Sequence, residues 1–312
     1  MSFLFTNFLL PLLVTFFSTK FALPFLKKVF NAKPTERGMH YFTKPTGGGI
    51  VFAFIYYIFT LKERAFFCLF SLPLLIIGLL DDKFHISSKI RFLMQLIIVS
   101  LILVFAIYNE SSFISNKSLI HNFANLFIIL AGVAIINFVN FMDGIDGLIT
   151  GSFIVIFLVI SNGSIDLISL AGALSGFIFY NWQPAKIFMG DAGSLFIGST
   201  LIRILLNSET TIDFVKIIFL ITPLIADPLI TLIRRIIKRK IFWTAHKSHL
   251  YQRLVMAGLS HSKVSLIYIF AIILLSIFYL FSNLIGLILM SFLIIFFGIF
   301  LENKYAAKFN DS

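Results

Sequence analysis

Long apolar runs, separated by short polar segments, dominate the pattern of this chain. A helix needs about 20 predominantly apolar residues to cross a bilayer, and the runs recur often enough for about eleven such spans. The pattern therefore predicts an all-α polytopic membrane protein that forms one domain over residues 1–312, with a large polar loop at about 234–263. The expected apolar segments are roughly 3–26, 48–61, 65–80, 90–108, 123–141, 147–161, 165–181, 192–207, 212–233, 264–282 and 284–301.

The composition has too few charged residues for a soluble fold. Hydrophobic residues make up 59% of the 312 positions and charged residues 12%, and the mean hydropathy is +1.00. A soluble globular protein carries about 25% charged residues. The net charge of +11 does not indicate a nucleic-acid partner, because most of the chain has no polar face to offer one. A single cysteine, Cys68, excludes a disulfide framework and a cysteine zinc site.

The positive charges favour one orientation in the membrane. Nineteen of the 25 Lys and Arg residues fall in every second connection or in the adjoining helix ends. The positive-inside rule places these connections in the cytoplasm, so the N-terminus is expected outside and the C-terminus inside. The first apolar run has no basic segment before it, and we expect a permanent span rather than a signal peptide. The cytoplasmic set comprises 27–47, 81–89, 142–146, 182–191, 234–263 and the tail from Glu302.

Acidic residues gather at the same predicted helix ends. A single Asp at such a place would be expected only to end a helix and face water. Charges at membrane depth are costly, so a group on three separate connections of one face favours a functional site. The group consists of Asp81, Asp82, Asp143, Asp146 and Asp191.

The local patterns around these acids indicate phosphate chemistry. Adjacent carboxylates such as Asp81 and Asp82 do not both ionise easily without a cation, which suits a base with a metal-linked partner. Asp191 precedes a small-residue turn that opens a helix, where amides can hold phosphate and the carboxylate can hold Mg²⁺. Asn140 and Asp143 are three residues apart and would share a helix face. This combination predicts a phosphoryl-transfer site.

Basic residues on other connections supply the complementary charge. For Lys89 and its neighbour Arg91, anchoring to lipid headgroups is an equally good interpretation. Two histidines and an arginine on the large polar loop favour ligand binding. The candidate basic residues are Lys44, Lys89, His246, His249 and Arg253.

Charged residues also occur inside two predicted spans. Proline removes a backbone hydrogen bond and bends a helix, so Asp227-Pro228 predicts a break in the ninth span, with Asp227 helping to place the large loop. A purely structural role for Asp227 stays equally open. Arg203 lies within the eighth span and needs a partner that the sequence does not identify.

These motifs, in this order, resemble the polyprenyl-phosphate N-acetylhexosamine-1-phosphate transferases of glycosyltransferase family 4, relatives of the phospho-muramoyl-pentapeptide translocase. The resemblance runs from Lys44 to about Arg253. The motifs are Gly78-Leu-Leu-Asp81-Asp82, Ile86-Ser-Ser-Lys89-Ile-Arg91, Asn137-x-x-Asn140-x-x-Asp143-Gly-x-Asp146-Gly-Leu and Phe188-Met-Gly-Asp191-Ala-Gly-Ser.

The resemblance implies transfer of a HexNAc-1-phosphate from a UDP-amino sugar to undecaprenyl phosphate, with Mg²⁺, at the bacterial inner membrane. The products would be undecaprenyl-diphospho-sugar and UMP, as the initiating step of O-antigen or other envelope polysaccharide synthesis. Asp191 would ligate Mg²⁺, and Asp81 would orient or deprotonate the lipid phosphate with Asp82 beside it. The other implied roles are the nucleotide and diphosphate site for Asn140, Asp143 and Asp146, phosphate contact for Lys44 and Lys89, and the sugar end for His246, His249 and Arg253.

The histidine string departs from the best-known pattern of that family. A compact His-x-His-His is replaced by His246-Lys-Ser-His249-Leu-Tyr-Gln-Arg253, with Ser248 where a middle His would stand. This form resembles the branch that starts O-antigen and disfavours the muramoyl-pentapeptide donor, which stays the alternative. A membrane transporter is the alternative from another class, although no repeated halves are detected. A homodimer is left open.

Overall fold

The computed structural model describes residues 2–32, 39, 43–60, 66–108, 121–239 and 246–309. Helices make up most of these ranges, which confirms the predicted all-α class. Within them a single antiparallel pair of two-residue strands joins β1 (Asn31–Ala32) to β2 (Lys44–Pro45). Parts of two predicted cytoplasmic connections, 33–38, 40–42 and 240–245, lie outside the described residues.

The helices follow the predicted apolar segments along the chain. Short helical turns at Ser2–Leu4 and Phe5–Leu9 lead into the first long helix, and a 3-10 turn at Phe66–Ser71 leads into the third. In chain order the helices are α1 (Leu10–Val29), α2 (Gly49–Thr60), α3 (Leu72–Phe84), α4 (Ser88–Tyr108), α5 (His121–Met142), α6 (Leu148–Ile160), α7 (Ile165–Asn181), α8 (Gly190–Leu206), α9 (Thr211–Leu220), α10 (Thr222–Ile237), α11 (Leu250–Met256), α12 (His261–Phe281) and α13 (Leu284–Tyr305).

Several of these helices are long and apolar enough to cross a membrane. Among the described residues five pass this criterion: Phe5–Val29, α4, the part of α5 from Ala124 to Met142, α12 and α13. The pair α9 and α10 passes when taken together, although the two helices are bent by 71°. Helices α2, α6 and α7 are apolar but shorter. Length and composition therefore support five or six spans, and the larger predicted number stays a prediction.

The ninth predicted segment is broken, but not where the sequence indicated. The predicted break at Asp227-Pro228 is wrong, because both residues lie inside α10. The chain bends at Ile221, between α9 and α10. Pro223 explains this position, since a proline is accommodated in the first turn of a helix but cannot continue the helix that precedes it.

Helix α8 lies at the centre of the fold, and nearly all of its side chains are buried. Helices α2, α3 and α5 pack against it. Gly78 of α3 faces the first turn of α8, where a Cβ at Gly78 would lie 2.3 Å from the carbonyl oxygen of Asp191. The absence of a side chain at Gly78 therefore lets α3 approach α8 just before Asp81 and Asp82.

Arg203 has a partner at the other end of α8. Its Nη2 lies 2.8 Å from Oδ2 of Asp166, in the first turn of α7, and 3.4 Å from the hydroxyl of Tyr56. Arg203 and Asp166 are both largely buried, so each charge is compensated by the other. This pair ties α7 to α8 on the side of the bundle that carries none of the predicted site residues.

We expect Gly78→Ala to destabilise the protein by about 1–3 kcal/mol, because the new methyl group forces α3 away from the α8 backbone. The matched control is Gly298→Ala in α13, where a Cβ would meet only Leu250 Cδ2 at an ordinary 3.7 Å. Thermal unfolding in detergent measures both variants. Equal unfolding temperatures for the two would contradict the close helix contact.

Candidate active site

Four helix ends bring three of the five predicted acids together at one end of the bundle. The C-terminal turn of α3 supplies Asp81 and Asp82, and the last turn of α5 supplies Asn140. Asp191 lies in the first turn of α8, and Arg91 lies near the start of α4. Hydrogen bonds join all five side chains, directly or through the α8 backbone, into one cluster, which we call the acid cluster.

Asp82 holds the first turn of α8. Its Oδ1 accepts the backbone N–H of Asp191 at 3.0 Å, and its Oδ2 accepts that of Ala192 at 3.2 Å. The hydroxyl of Thr46 donates to the same carboxylate at 3.1 Å. The first amides of a helix have no partner within the helix and favour a negative charge. Asp82 thus positions Asp191, and its predicted catalytic role stays a prediction.

Arg91 bridges two carboxylates of the acid cluster. Its Nη1 lies 2.5 Å from Oδ2 of Asp81 and also donates to Oδ2 of Asp191. The sequence offered lipid anchoring as an equal interpretation for Arg91. A cation near the start of a helix is unfavourable for the helix dipole, and this feature could have indicated an acidic partner. Lys89, by contrast, is exposed and makes no ion pair within the described chain.

Asn140 fixes the other oxygen of Asp191. Its Nδ2 donates to Asp191 Oδ1 and to Ser194 Oγ, both at 2.8 Å. Asp143 does not share its helix face, as the spacing suggested, because α5 ends at Met142 and Asp143 lies in the turn beyond.

Asp143 still lies close enough to the acid cluster to interact electrostatically with its carboxylates. Burial, together with the negative charges of Asp191, Asp82 and Asp146, raises the pKa of the Asp143 carboxyl well above its usual value. The described part of the chain offers this carboxylate no hydrogen bond and no ion pair. A cation or a phosphate-bound metal ion would relieve the electrostatic penalty.

Asp146 forms a second polar group with basic partners. Lys44 Nζ lies 3.7 Å from its Oδ2, and Nδ1 of His261 lies 3.4 Å from its Oδ1. Burial opposes ionisation of Asp146, but the His261 contact, the N–H of Ala185 and the charge of Lys44 outweigh burial and lower the pKa of the carboxyl. Lys44 also lies 5.0 Å above the ring of Phe188. Sequence reasoning missed His261, which carries no motif of its own.

The segment 246–253, which we call the histidine segment, is held by Asp227. The carboxylate of Asp227 accepts the backbone N–H groups of Leu250 and Tyr251 at 2.7 and 3.1 Å. It also lies 3.8 Å from Nδ1 of His249, which is buried. His246 is less buried, and its ring lies 4.9 Å from that of His249. The interpretation that Asp227 helps to place the large loop agrees with these contacts.

Arg253 points towards the C-terminal helix rather than the acid cluster. Its Nη1 lies 2.8 Å from Oε1 of Glu302, and its Nε donates to the carbonyl of Ala307 at 2.9 Å. Arg234 pairs with the same glutamate. The side chain of Arg253 is buried. The structure therefore gives Arg253 a role in holding α11 against α13, and its implied contact with a sugar stays a prediction.

The residues present fit a bound Mg²⁺ in chemistry. Within the described residues no three His, Cys, Asp or Glu side chains form a complete protein ligand set. Mg²⁺ usually takes one or two carboxylates and completes its shell with water and substrate phosphates, so a sparse set suits it. Asp191 already faces a cation, since Arg91 contacts its Oδ2. Asp191 would hold the metal ion, with Asp143 nearby.

Comparison with known proteins places this arrangement in a class. The sequence profile of glycosyl transferase family 4 matches residues 65–209, which contain the whole acid cluster. The phospho-N-acetylmuramoyl-pentapeptide-transferase of Staphylococcus aureus (strain bovine RF122 / ET3-1) is 32% identical over 265 residues, 71% of this chain and 82% of the relative.

Two further relatives carry a different printed activity. A probable undecaprenyl-phosphate N-acetylglucosaminyl 1-phosphate transferase of Bacillus subtilis (strain 168) is 33% identical over 215 residues, 64% of this chain. An undecaprenyl-phosphate alpha-N-acetylglucosaminyl 1-phosphate transferase of Thermotoga maritima is 33% identical over 193 residues, 61% of this chain. The matched region spans about three-fifths of each of these relatives, 60% and 61%.

Fold and site together define a helical membrane protein with a carboxylate centre at one end of its bundle. The chain belongs to glycosyl transferase family 4.

Arg253→Lys tests the position of Arg253. Lysine has one terminal ammonium and cannot reproduce the two-sided contact with Glu302 and Ala307. We expect a loss of about 1–3 kcal/mol of stability, measured by thermal unfolding. Arg239→Lys, at an exposed site, is the control and should change little. A large rise in KM for a sugar donor without any loss of stability would contradict this placement and favour a sugar contact.

Proposed function

We propose that this protein transfers a HexNAc-1-phosphate from a UDP-sugar to undecaprenyl phosphate in a reaction that requires Mg²⁺. An oxygen of the lipid phosphate attacks the phosphorus next to the sugar. The bond from that phosphorus to UMP breaks, and UMP leaves with the electron pair. The observation that carries this proposal is the acid cluster at one end of the bundle, in which the carboxylates of Asp81 and Asp191 both pair with the guanidinium group of Arg91.

The chain's own residues are proposed to act in the following way. Asp81 orients the lipid phosphate or takes its proton, because it is the carboxylate of the pair that the α8 amides leave free. Asp191, which Asn140 holds by a hydrogen bond, would ligate the metal ion. A bound Mg²⁺ would neutralise charge on the diphosphate. Lys44 and Lys89 are proposed to contact phosphate charge.

The remaining site residues are assigned to the nucleotide and sugar parts of the donor. Asp143 and Asp146, with Lys44, lie on the side proposed for the nucleotide and diphosphate. His246 and His249 are proposed for the sugar end, and the partial exposure of His246 favours it as the contacting residue.

Two different sugars are supported as the transferred group. The printed names of the Bacillus and Thermotoga relatives favour N-acetylglucosamine as the sugar. The greater coverage of the Staphylococcus relative favours phospho-MurNAc-pentapeptide. The altered histidine string, with Ser248 in place of a middle histidine, favours N-acetylglucosamine. In that case the protein would initiate an O-antigen or another envelope polysaccharide at the bacterial inner membrane.

Transfer from a panel of donors tests the proposed function. We expect purified protein with radiolabelled undecaprenyl phosphate and Mg²⁺ to give a lipid-linked product with UDP-GlcNAc or a related UDP-HexNAc. EDTA should abolish the product. Asp191→Asn should lower the rate about 100-fold or more, whereas Asp213→Asn, at the start of α9, should leave it unchanged. No product with any donor, including UDP-MurNAc-pentapeptide, from folded protein would contradict the function.

We also propose the eleven-span arrangement with the acid cluster facing the cytoplasm. A Cys68→Ser background removes the only natural cysteine. Single cysteines are then introduced by Glu209→Cys, between α8 and α9, or by Lys263→Cys, at the start of α12, and both positions are exposed. A membrane-impermeant maleimide should label Glu209→Cys on intact spheroplasts and Lys263→Cys only after permeabilisation. The reverse labelling would place the acid cluster outside and contradict the proposed topology.

A further inference from the structure

Tyr251 connects the histidine segment to the turn after α5. Its hydroxyl donates to the backbone carbonyl of Phe141 at 2.8 Å. Phe141 lies in the last turn of α5, where carbonyl groups have no partner within the helix. Tyr251 itself is 1% exposed. One buried hydroxyl therefore reaches from α11 to the end of the helix that carries Asn140.

The turn after α5 is shaped to receive this hydroxyl. A Cβ at Gly144 would lie 2.0 Å from the Tyr251 hydroxyl oxygen and 2.9 Å from its Cζ. Gly144 follows Asp143 directly and precedes Asp146 by two residues. The phenol ring thus packs against the backbone that carries two of the proposed site carboxylates, and any side chain at Gly144 would displace the ring or the turn.

The backbone and the ring of Tyr251 also make contacts within the histidine segment and with α10. Its backbone N–H donates to Oδ2 of Asp227 at 3.1 Å. Its ring stacks on that of His249, with centroids 5.9 Å apart and planes inclined by 13°. Burial, followed by the charges of Asp227 and Asp143, raises the pKa of the Tyr251 hydroxyl well above its usual value. The hydroxyl therefore keeps its proton and stays a donor.

We propose that Tyr251 is a positioning residue, whose hydroxyl fixes the turn carrying Asp143 and Asp146 relative to the histidine segment. The inference rests on the proposed transferase function for its effect on catalysis. It joins two parts of the site, since Phe141 and Tyr251 are 110 residues apart in the chain and meet through this hydrogen bond. Tyr251 belongs to none of the residues that the sequence motifs assigned.

Tyr251→Phe keeps the ring and its stacking but removes the hydrogen bond. We expect kcat for transfer to fall about tenfold, the effect of one lost hydrogen bond, with little change in KM for the donor. The control Tyr305→Phe, at an exposed position near the end of α13, should leave both constants unchanged.

A double-mutant cycle with Gly144→Ala makes the test specific to this contact. Gly144→Ala alone collides with the hydroxyl, so it should lower kcat strongly. In the Tyr251→Phe background the oxygen at 2.0 Å is gone and the nearest atom is Cζ at 2.9 Å. The same substitution should therefore cost about fivefold less there, as coupled neighbours do. An equal penalty for Gly144→Ala in both backgrounds would overturn the proposal.

Trp182 gives a readout that does not depend on activity. Its ring packs against Gly147 at the end of the same turn, where a Cβ would lie 2.4 Å from the ring. The chain has two tryptophans, so a Trp243→Phe background, excited beyond the absorption band of tyrosine, leaves Trp182 as the only emitting residue. We expect Tyr251→Phe to shift its emission and Tyr305→Phe to leave it unchanged.

Failure of this inference and failure of the proposed function give different results. Wild-type kcat and unchanged Trp182 emission in Tyr251→Phe would overturn the positioning role. No transfer by the wild-type protein would overturn the proposed function instead. In that case the emission shift, and the same cycle measured by thermal unfolding, would still decide whether Tyr251 positions the turn.

Discussion

The contact between the Asp82 carboxylate and two amides in the first turn of α8 determines the geometry of the site. Those amides lie between packed helices, where an unpaired N–H group costs free energy. Asp82 reaches them because Gly78, one turn earlier on α3, has no side chain to hold the two backbones apart. Once the first turn of α8 is fixed, Asp191 is placed within reach of Asn140 and Arg91.

The acid cluster and the neighbouring Asp143 together contain four carboxyl groups and one basic side chain, that of Arg91. Arg91 compensates Asp81 and Asp191, while Asp82 is stabilised by amide dipoles and Asp143 lacks a partner in the described chain. A divalent cation at Asp191 would compete with Arg91 for the same oxygen. A site with surplus carboxylate at the end of an apolar bundle is therefore electrostatically suited to a metal-bound diphosphate.

Periodicity and residue placement predicted the helices and the gathering of acids at one end of the bundle, because both depend on local hydropathy. Contacts made by packing could not be predicted in this way. Arg91 pairs with Asp191, Arg203 with Asp166 and Arg253 with Glu302, and in each case packing brings together helices that are distant in sequence. The sequence placed the break in the ninth segment at Pro228 rather than at Ile221. Both Pro223 and Pro228 can interrupt a helix, and only packing decides which of them does so.

The two halves of the site depend on different parts of the chain. The acid cluster lies wholly within residues 65–209, the region matched by the family profile. The histidine segment lies beyond it and is held by Asp227 at its middle and by Glu302 of α13 at its end. Changes in α10 or α13 that move the histidine segment reach the turn of Asp143 and Asp146 through Tyr251. Residues outside the profile region therefore position the histidine side of the site.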